Sequence, residues 1–152
     1  MKGFLADTNI FLEILLGQPK RNIAKKVIVN LSSTGVLYVS DFTVHTIGIK
    51  IWHPKKNPLS NDDRKRVWDG FLNDINASIP VLTLPSSKLT KVGDVIVKYG
   101  LDFDDAYQVA VALEYDLDII SEDPDFKVLK NGKKPAAYDL NDMTKILSLK
   151  IS

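Results

Sequence analysis

At 152 residues, with 45% hydrophobic and 26% charged side chains and a formal charge of +1, the chain has the size and make-up of one soluble globular domain, residues 1–152, with a real core. The lack of cysteine excludes a disulfide framework and a cysteine-based zinc site and makes a reducing cytoplasm the natural compartment, while having only two histidines argues against a zinc enzyme. No apolar run approaches the roughly 18 residues of a membrane span, and an acid already stands at Asp7, so neither a signal peptide nor a membrane segment is expected.

Gly3 to Ala6 is a short apolar run that predicts a first strand, ended by Asp7. Ile10, Phe11, Leu12, Ile14, Leu15 and Leu16 then cover most of a helical circumference, which predicts a helix buried nearly all round and stopped at Gly17. A second helix, from about Lys20 to Ser32, leads through Gly35 to a strand at Val36 to Val39. Ser40 or Asp41 caps a third helix with two apolar stripes, Val44, Ile47 and Ile51 on one and Phe42, Ile49 and Trp52 on the other. One stripe can face a sheet, and the second predicts a partner, a second copy of the chain in a homodimer.

Helix four, about Asp62 to Ile75, has one clean stripe (Val67, Trp68, Phe71, Leu72, Ile75) opposite Arg64, Lys65 and Asp69. Pro80 to Leu84 reads as the third strand, and Ser86 or Ser87 as the cap of a helix running to Tyr99. Phe103, Ala106, Ala110 and Leu113 recur at helical spacing, so Asp102 to Tyr115 reads as a helix with Asp102 as its N-cap. Asp118 to Ser121 is a short buried strand, Glu122 to Phe126 the loop leaving it, Ala136 to Tyr138 an edge strand, and Asn141 to Leu149 a terminal helix. Strands and helices alternate at intervals of roughly 30 to 45 residues, the pattern of right-handed crossovers in an α/β three-layer sandwich with a mostly parallel sheet flanked by helices.

The charge is unevenly spread. Residues 101–126 carry nine acids and no Lys or Arg, so all twenty bases lie elsewhere. In a parallel sheet the carboxyl ends of the strands share one edge, which brings Asp7 and the loop with Asp123 and Asp125 beside the helix start that bears Asp105. Each of these aspartates taken alone fits a helix cap or a helix dipole. Together, carboxylates about 5 Å apart repel by about 3 kcal/mol per pair at an effective dielectric near 20, and they call for a cation. Oxygen-only ligands select Mg²⁺ or Mn²⁺, and such a site suits in-line displacement at a phosphodiester.

Three motifs in order, Met1-Lys-Gly-Phe-Leu-Ala-Asp-Thr-Asn-Ile-Phe-Leu12, Leu101-Asp-Phe-Asp-Asp-Ala-Tyr-Gln-Val-Ala110 and Ile119-Ile-Ser-Glu-Asp-Pro-Asp-Phe126, resemble those of a PIN domain, close to the VapC-type toxin ribonucleases. The resemblance covers essentially the whole chain. It implies a helix-flanked parallel sheet, metal-dependent RNA cleavage, homodimers and often a cognate antitoxin. By position it implies Asp7, Asp105 and Asp123 as metal ligands and catalytic acids, Asp125 as an auxiliary catalytic acid, and Thr8, Asn9 and Ser121 as the small polar residues beside them that contact substrate. The helix after the second strand departs from the pattern. Thr46, beside His45, stands where the family usually has a Glu, which takes an acid from a second metal site and leaves His45 and Thr46 as candidate substrate contacts.

Basic clusters at Lys20/Arg21/Lys25/Lys26, Lys55/Lys56, Arg64/Lys65/Arg66 and Lys127 to Lys134 can follow a phosphate backbone or be plain solvated faces. The expected function is a metal-dependent endoribonuclease acting on single-stranded RNA, the toxin of a type II toxin–antitoxin pair. The alternative is a non-catalytic RNA- or partner-binding module on the same fold. A receiver needs paired acids after strand one and an aspartate-nucleophile phosphatase needs Asp-x-Asp, and Asp7-Thr8-Asn9 supplies neither.

Overall fold

The computed structural model describes residues 2–56, 58–130 and 132–149. Among these residues, five parallel strands, β1 (Phe4–Ala6), β2 (Leu37–Ser40), β3 (Val81–Leu82), β4 (Asp118–Ile120) and β5 (Ala137–Tyr138), lie in the order β3-β2-β1-β4-β5. The register sets Phe4 opposite Leu37 and Asp118, and Ala6 opposite Ile120. β1 and β4 are buried along their whole length, as apolar runs covered on both faces must be.

Alternation along β1 and β4 divides the interior in two. Phe4, Ala6 and Ile120 face a core with α1 (Thr8–Leu15), α2 (Arg21–Ser33), α3 (Asp41–Ile51), α4 (Asn61–Ser78) and α7 (Leu140–Ile146). Leu5 and Ile119 face the other, packed by α5 (Thr90–Tyr99) and α6 (Phe103–Glu114). This is the expected three-layer α/β sandwich. Gly100, at φ +69, ends α5 in a left-handed turn that only glycine adopts without strain, and this sets the angle at which α6 starts. No helix among the described residues is long and apolar enough to cross a membrane.

Several local expectations are corrected. Within α1 every residue is buried or half-buried, as expected, but Leu16, counted with that apolar surface, lies just beyond the helix and is 46% exposed. The third strand shrinks to two residues because it pairs only at the sheet edge. Neither Ser86 nor Ser87 caps a helix: a 3-10 turn over Ser86–Lys88 leads into α5, which starts at Thr90 without a side-chain cap. Arg64, placed by periodicity on the polar face of α4, is buried. The terminal helix begins at Leu140, where Asp139 and Asp142 form a reciprocal capping box.

Candidate active site

The carboxyl ends of β1, β2 and β4 converge on one polar pocket. Asp7 leaves β1, Ser40 ends β2, and Ser121 follows β4. Asp7 is 6% exposed and takes four donors: its Oδ1 accepts from the Thr8 amide (2.8 Å) and Gln108 Nε2 (3.0 Å), its Oδ2 from Ser121 Oγ (2.7 Å) and Asn9 Nδ2 (3.2 Å). Burial pushes the Asp7 carboxyl above its usual range, the Ser121, Gln108 and Thr8 hydrogen bonds pull it back in part, and the Asp123 charge adds to the rise.

The same donors tie the elements together. Gln108 Nε2 also donates to Thr43 Oγ1 (2.7 Å), and Gln108 Oε1 accepts from Ser40 Oγ (2.6 Å). Thr8 Oγ1 donates to Thr43 Oγ1 (3.2 Å). Asn9 Nδ2 donates to Ser121 Oγ (3.1 Å), while Asn9 Oδ1 accepts from the Glu122 amide (3.1 Å). Ser121 Oγ accepts from the Asp123 amide (3.0 Å), and Asp123 Oδ1 from that of Asp125 (2.9 Å). Of the residues expected as substrate contacts, Asn9 and Ser121 thus spend their polar side-chain atoms on Asp7 and the acidic loop, and Thr8 spends its hydroxyl on Thr43.

Above this layer the acids crowd. Asp102 caps α6 by accepting from the Asp105 amide (3.1 Å), and carboxylate oxygens of Asp102, Asp105 and Asp125 lie within 4.8 Å of one another. Asp105 is 8% exposed. Burial first, then the charges of Asp123, Asp102, Asp7 and Asp125, push its pKa up to about 7. The other three predicted acids thus all bear on Asp105, although the triad that comes within 4.8 Å has Asp102 in place of Asp7 and Asp123.

Lysine pairing separates these acids from four others of the stretch. Glu114 pairs with Lys91 (3.2 Å), Asp116 with Lys134 (3.6 Å), Asp118 with Lys2 (3.4 Å), and Glu122 with Lys20. Glu122 also accepts from the Leu140 amide (3.2 Å). Among the described residues, Asp102, Asp105, Asp123 and Asp125 have no Lys or Arg partner. A cluster of carboxylates crowded around Asp105, with only oxygen donors, has the chemistry of a hard divalent cation site.

Thr46 is half-buried on α3 and makes no side-chain hydrogen bond among the described residues. The polar residue of α3 that joins the network is Thr43, one turn earlier. His45 is exposed and lines a neighbouring cleft. Sequence reasoning missed Gln108, Thr43 and Ser40 as site residues. Gln108 did leave a signal: it is a lone amide among Ala106, Val109, Ala110, Val111 and Ala112, all buried, and a buried amide needs partners.

A family model described as the PIN domain matches residues 4–132. No curated protein matches the chain. Solved structures are similar in fold: DNA-bound VapBC from Salmonella typhimurium superposes with a TM-score of 0.68 at 14% identity, covering 92% of this chain and 99% of that one. PAE2754 from Pyrobaculum aerophilum gives 0.67 at 21% identity, covering 98% and 97%. A toxin–antitoxin complex from Klebsiella pneumoniae gives 0.64 at 17% identity, covering 91% and 98%.

Proposed function

This chain belongs to the PIN domain family, and from that premise we propose that it is a divalent-metal-dependent endoribonuclease of single-stranded RNA. The observation that supports this most is the set of carboxylates without lysine partners around Asp105, whose pKa is pushed up to about 7. A structural cap needs no such crowding, and the repulsion is relieved by a cation. On this reading Asp105, Asp123 and Asp7 hold Mg²⁺ or Mn²⁺, with Asp102 and Asp125 at its margin. When bound, the ion acidifies the attacking water and offsets charge on the phosphodiester oxygens. Gln108, Ser121, Asn9 and the Thr8 amide keep the Asp7 carboxylate aimed at the pocket. The whole of 1–152 then serves as one cytoplasmic catalytic domain.

The similar structures include toxin–antitoxin complexes, and we extend that pairing here: the chain acts as a toxin held by an antitoxin protein. A homodimer forms through Ile49 and Trp52, which are 54% and 40% exposed next to Leu16 at 46%. Phe42, the third residue expected in that stripe, packs instead against Tyr107. The rival reading, a non-catalytic binding module, draws on the neutral Thr43–Gln108 pair and on Thr46 at the place of the usual acid.

Cleavage of single-stranded RNA by the purified protein in Mg²⁺ or Mn²⁺ decides between the two. Activity should vanish in EDTA and in Asp7→Asn. Equal activity in Asp7→Asn would refute the assignment of the site, and inactivity of clean wild-type protein on varied RNAs would favour the binding module.

A further inference from the structure

Beside the acid cluster an open cleft of about 410 Å³ is lined by Asp41, Phe42, His45, Phe103 and Tyr107. Its walls are the first turns of α3 and α6, which also carry Thr43 and Asp105 into the candidate active site. Spacing explains the placement. Phe42 and His45 are three apart on α3, Phe103 and Tyr107 four apart on α6, so each pair shares a helix face. The Tyr107 hydroxyl donates to Asp41 Oδ1 (2.7 Å) and accepts from the Leu84 amide (3.3 Å), which pins its ring. Phe42 rests against that ring with centroids 6.2 Å apart. Phe103 is 61% exposed and has no ring partner among the described residues.

We propose that this cleft is a stacking subsite for one unpaired nucleobase of the RNA whose phosphate is attacked at the Asp105 cluster, with Phe103 as the positioning residue. The inference rests on the nuclease reading above. An exposed aromatic face accepts any base, and a base paired in a duplex is not free to reach it. The lining holds no Lys or Arg, and its one charged residue is an acid, so it suits an uncharged base and rejects a phosphate. His45 offers ring nitrogens to the edge of the base. A second copy of the chain fits this face poorly. Asp41 lines it and Asp102 and Asp104 flank Phe103 in the chain, all without lysine partners among the described residues, and a symmetric contact would set acid against acid.

The test is a cycle between protein and substrate. A short single-stranded RNA with a mapped cleavage site is compared with versions lacking one base beside that site, on wild type, Phe103→Ala and Phe103→Trp. Because aromatic–base stacking is lost in alanine variants, Phe103→Ala should raise KM about tenfold with kcat within about twofold, and Phe103→Trp should retain wild-type KM. Removing the right base should raise the wild-type KM equally and add little to Phe103→Ala. Losses that multiply in full for every abasic position, or an unchanged KM in Phe103→Ala, overturn the subsite. So does a shift from dimer to monomer in Phe103→Ala by light scattering, which would assign the cleft to a second copy. If wild type cleaves no RNA, the nuclease reading fails separately. Anisotropy of the same oligonucleotides, fluorescently labelled, in EDTA then still reads the cleft: about tenfold weaker binding by Phe103→Ala supports it, and equal binding overturns it.

Discussion

Replacing Asp105 by Asn should make the metal-free protein more stable at alkaline pH and not at acid pH. The rise of this carboxyl from 3.8 to about 7 corresponds to about 4 kcal/mol against the ionised form, at about 1.4 kcal/mol per pKa unit. Water at the open mouth of the site screens the neighbouring charges and brings this to roughly 2 kcal/mol. The folded state keeps its proton up to about pH 7 and the unfolded state loses it near 3.8, so the folded state binds more protons between these values. Stability therefore falls as pH rises through that window, and the penalty is absent below it and complete above it. Asparagine carries no such charge. In EDTA near pH 8, Asp105→Asn should melt roughly 4–8 °C above wild type for a domain of this size, and near pH 4 the two should converge to within the few tenths of a kcal/mol of a lost helix-dipole contact. Mg²⁺ or Mn²⁺ at about 100 times its dissociation constant should stabilise wild type by about 2.7 kcal/mol, and the variant should lose most of that response. Thermal scans at both pH values, with and without metal, read all four states. A variant that is less stable than wild type in EDTA near pH 8, with an undiminished metal response, would return Asp105 to the role of a helix-start residue.

Gln108→Leu should destabilise the fold by about 1–3 kcal/mol, since it leaves the buried Ser40 hydroxyl without its 2.6 Å acceptor and takes one of four donors from buried Asp7. Urea unfolding measures it, and a midpoint equal to wild type would show that the network is dispensable. Trp52→Lys should convert a homodimer to monomer in light scattering. A wild-type protein that is already monomeric at micromolar concentration would remove the Ile49–Trp52 face as an interface.

Local pattern carried much of this protein. Strand runs such as Phe4–Ala6, the helical stripe of Ala106, Ala110 and Leu113, and the Asp102 cap are set by residues within a turn or two of each other, so period and composition suffice to read them. The parallel sheet followed from the alternation of elements, and with it the shared edge to which Asp7 and Asp123 are assigned. The Asp139–Asp142 capping box is equally local, although the helix pattern read from Asn141 onward leaves Asp139 out. Distance in the chain hid the rest. Gln108 reaches Asp7 across 101 residues and Ser40 across 68, and no periodicity specifies which buried amide meets which carboxylate. Nine acids in one stretch look alike in sequence. Only the tertiary structure sorts them, because Lys2, Lys20, Lys91 and Lys134, brought in from remote elements, neutralise four and leave the acids around Asp105 without a counter-charge among the described residues.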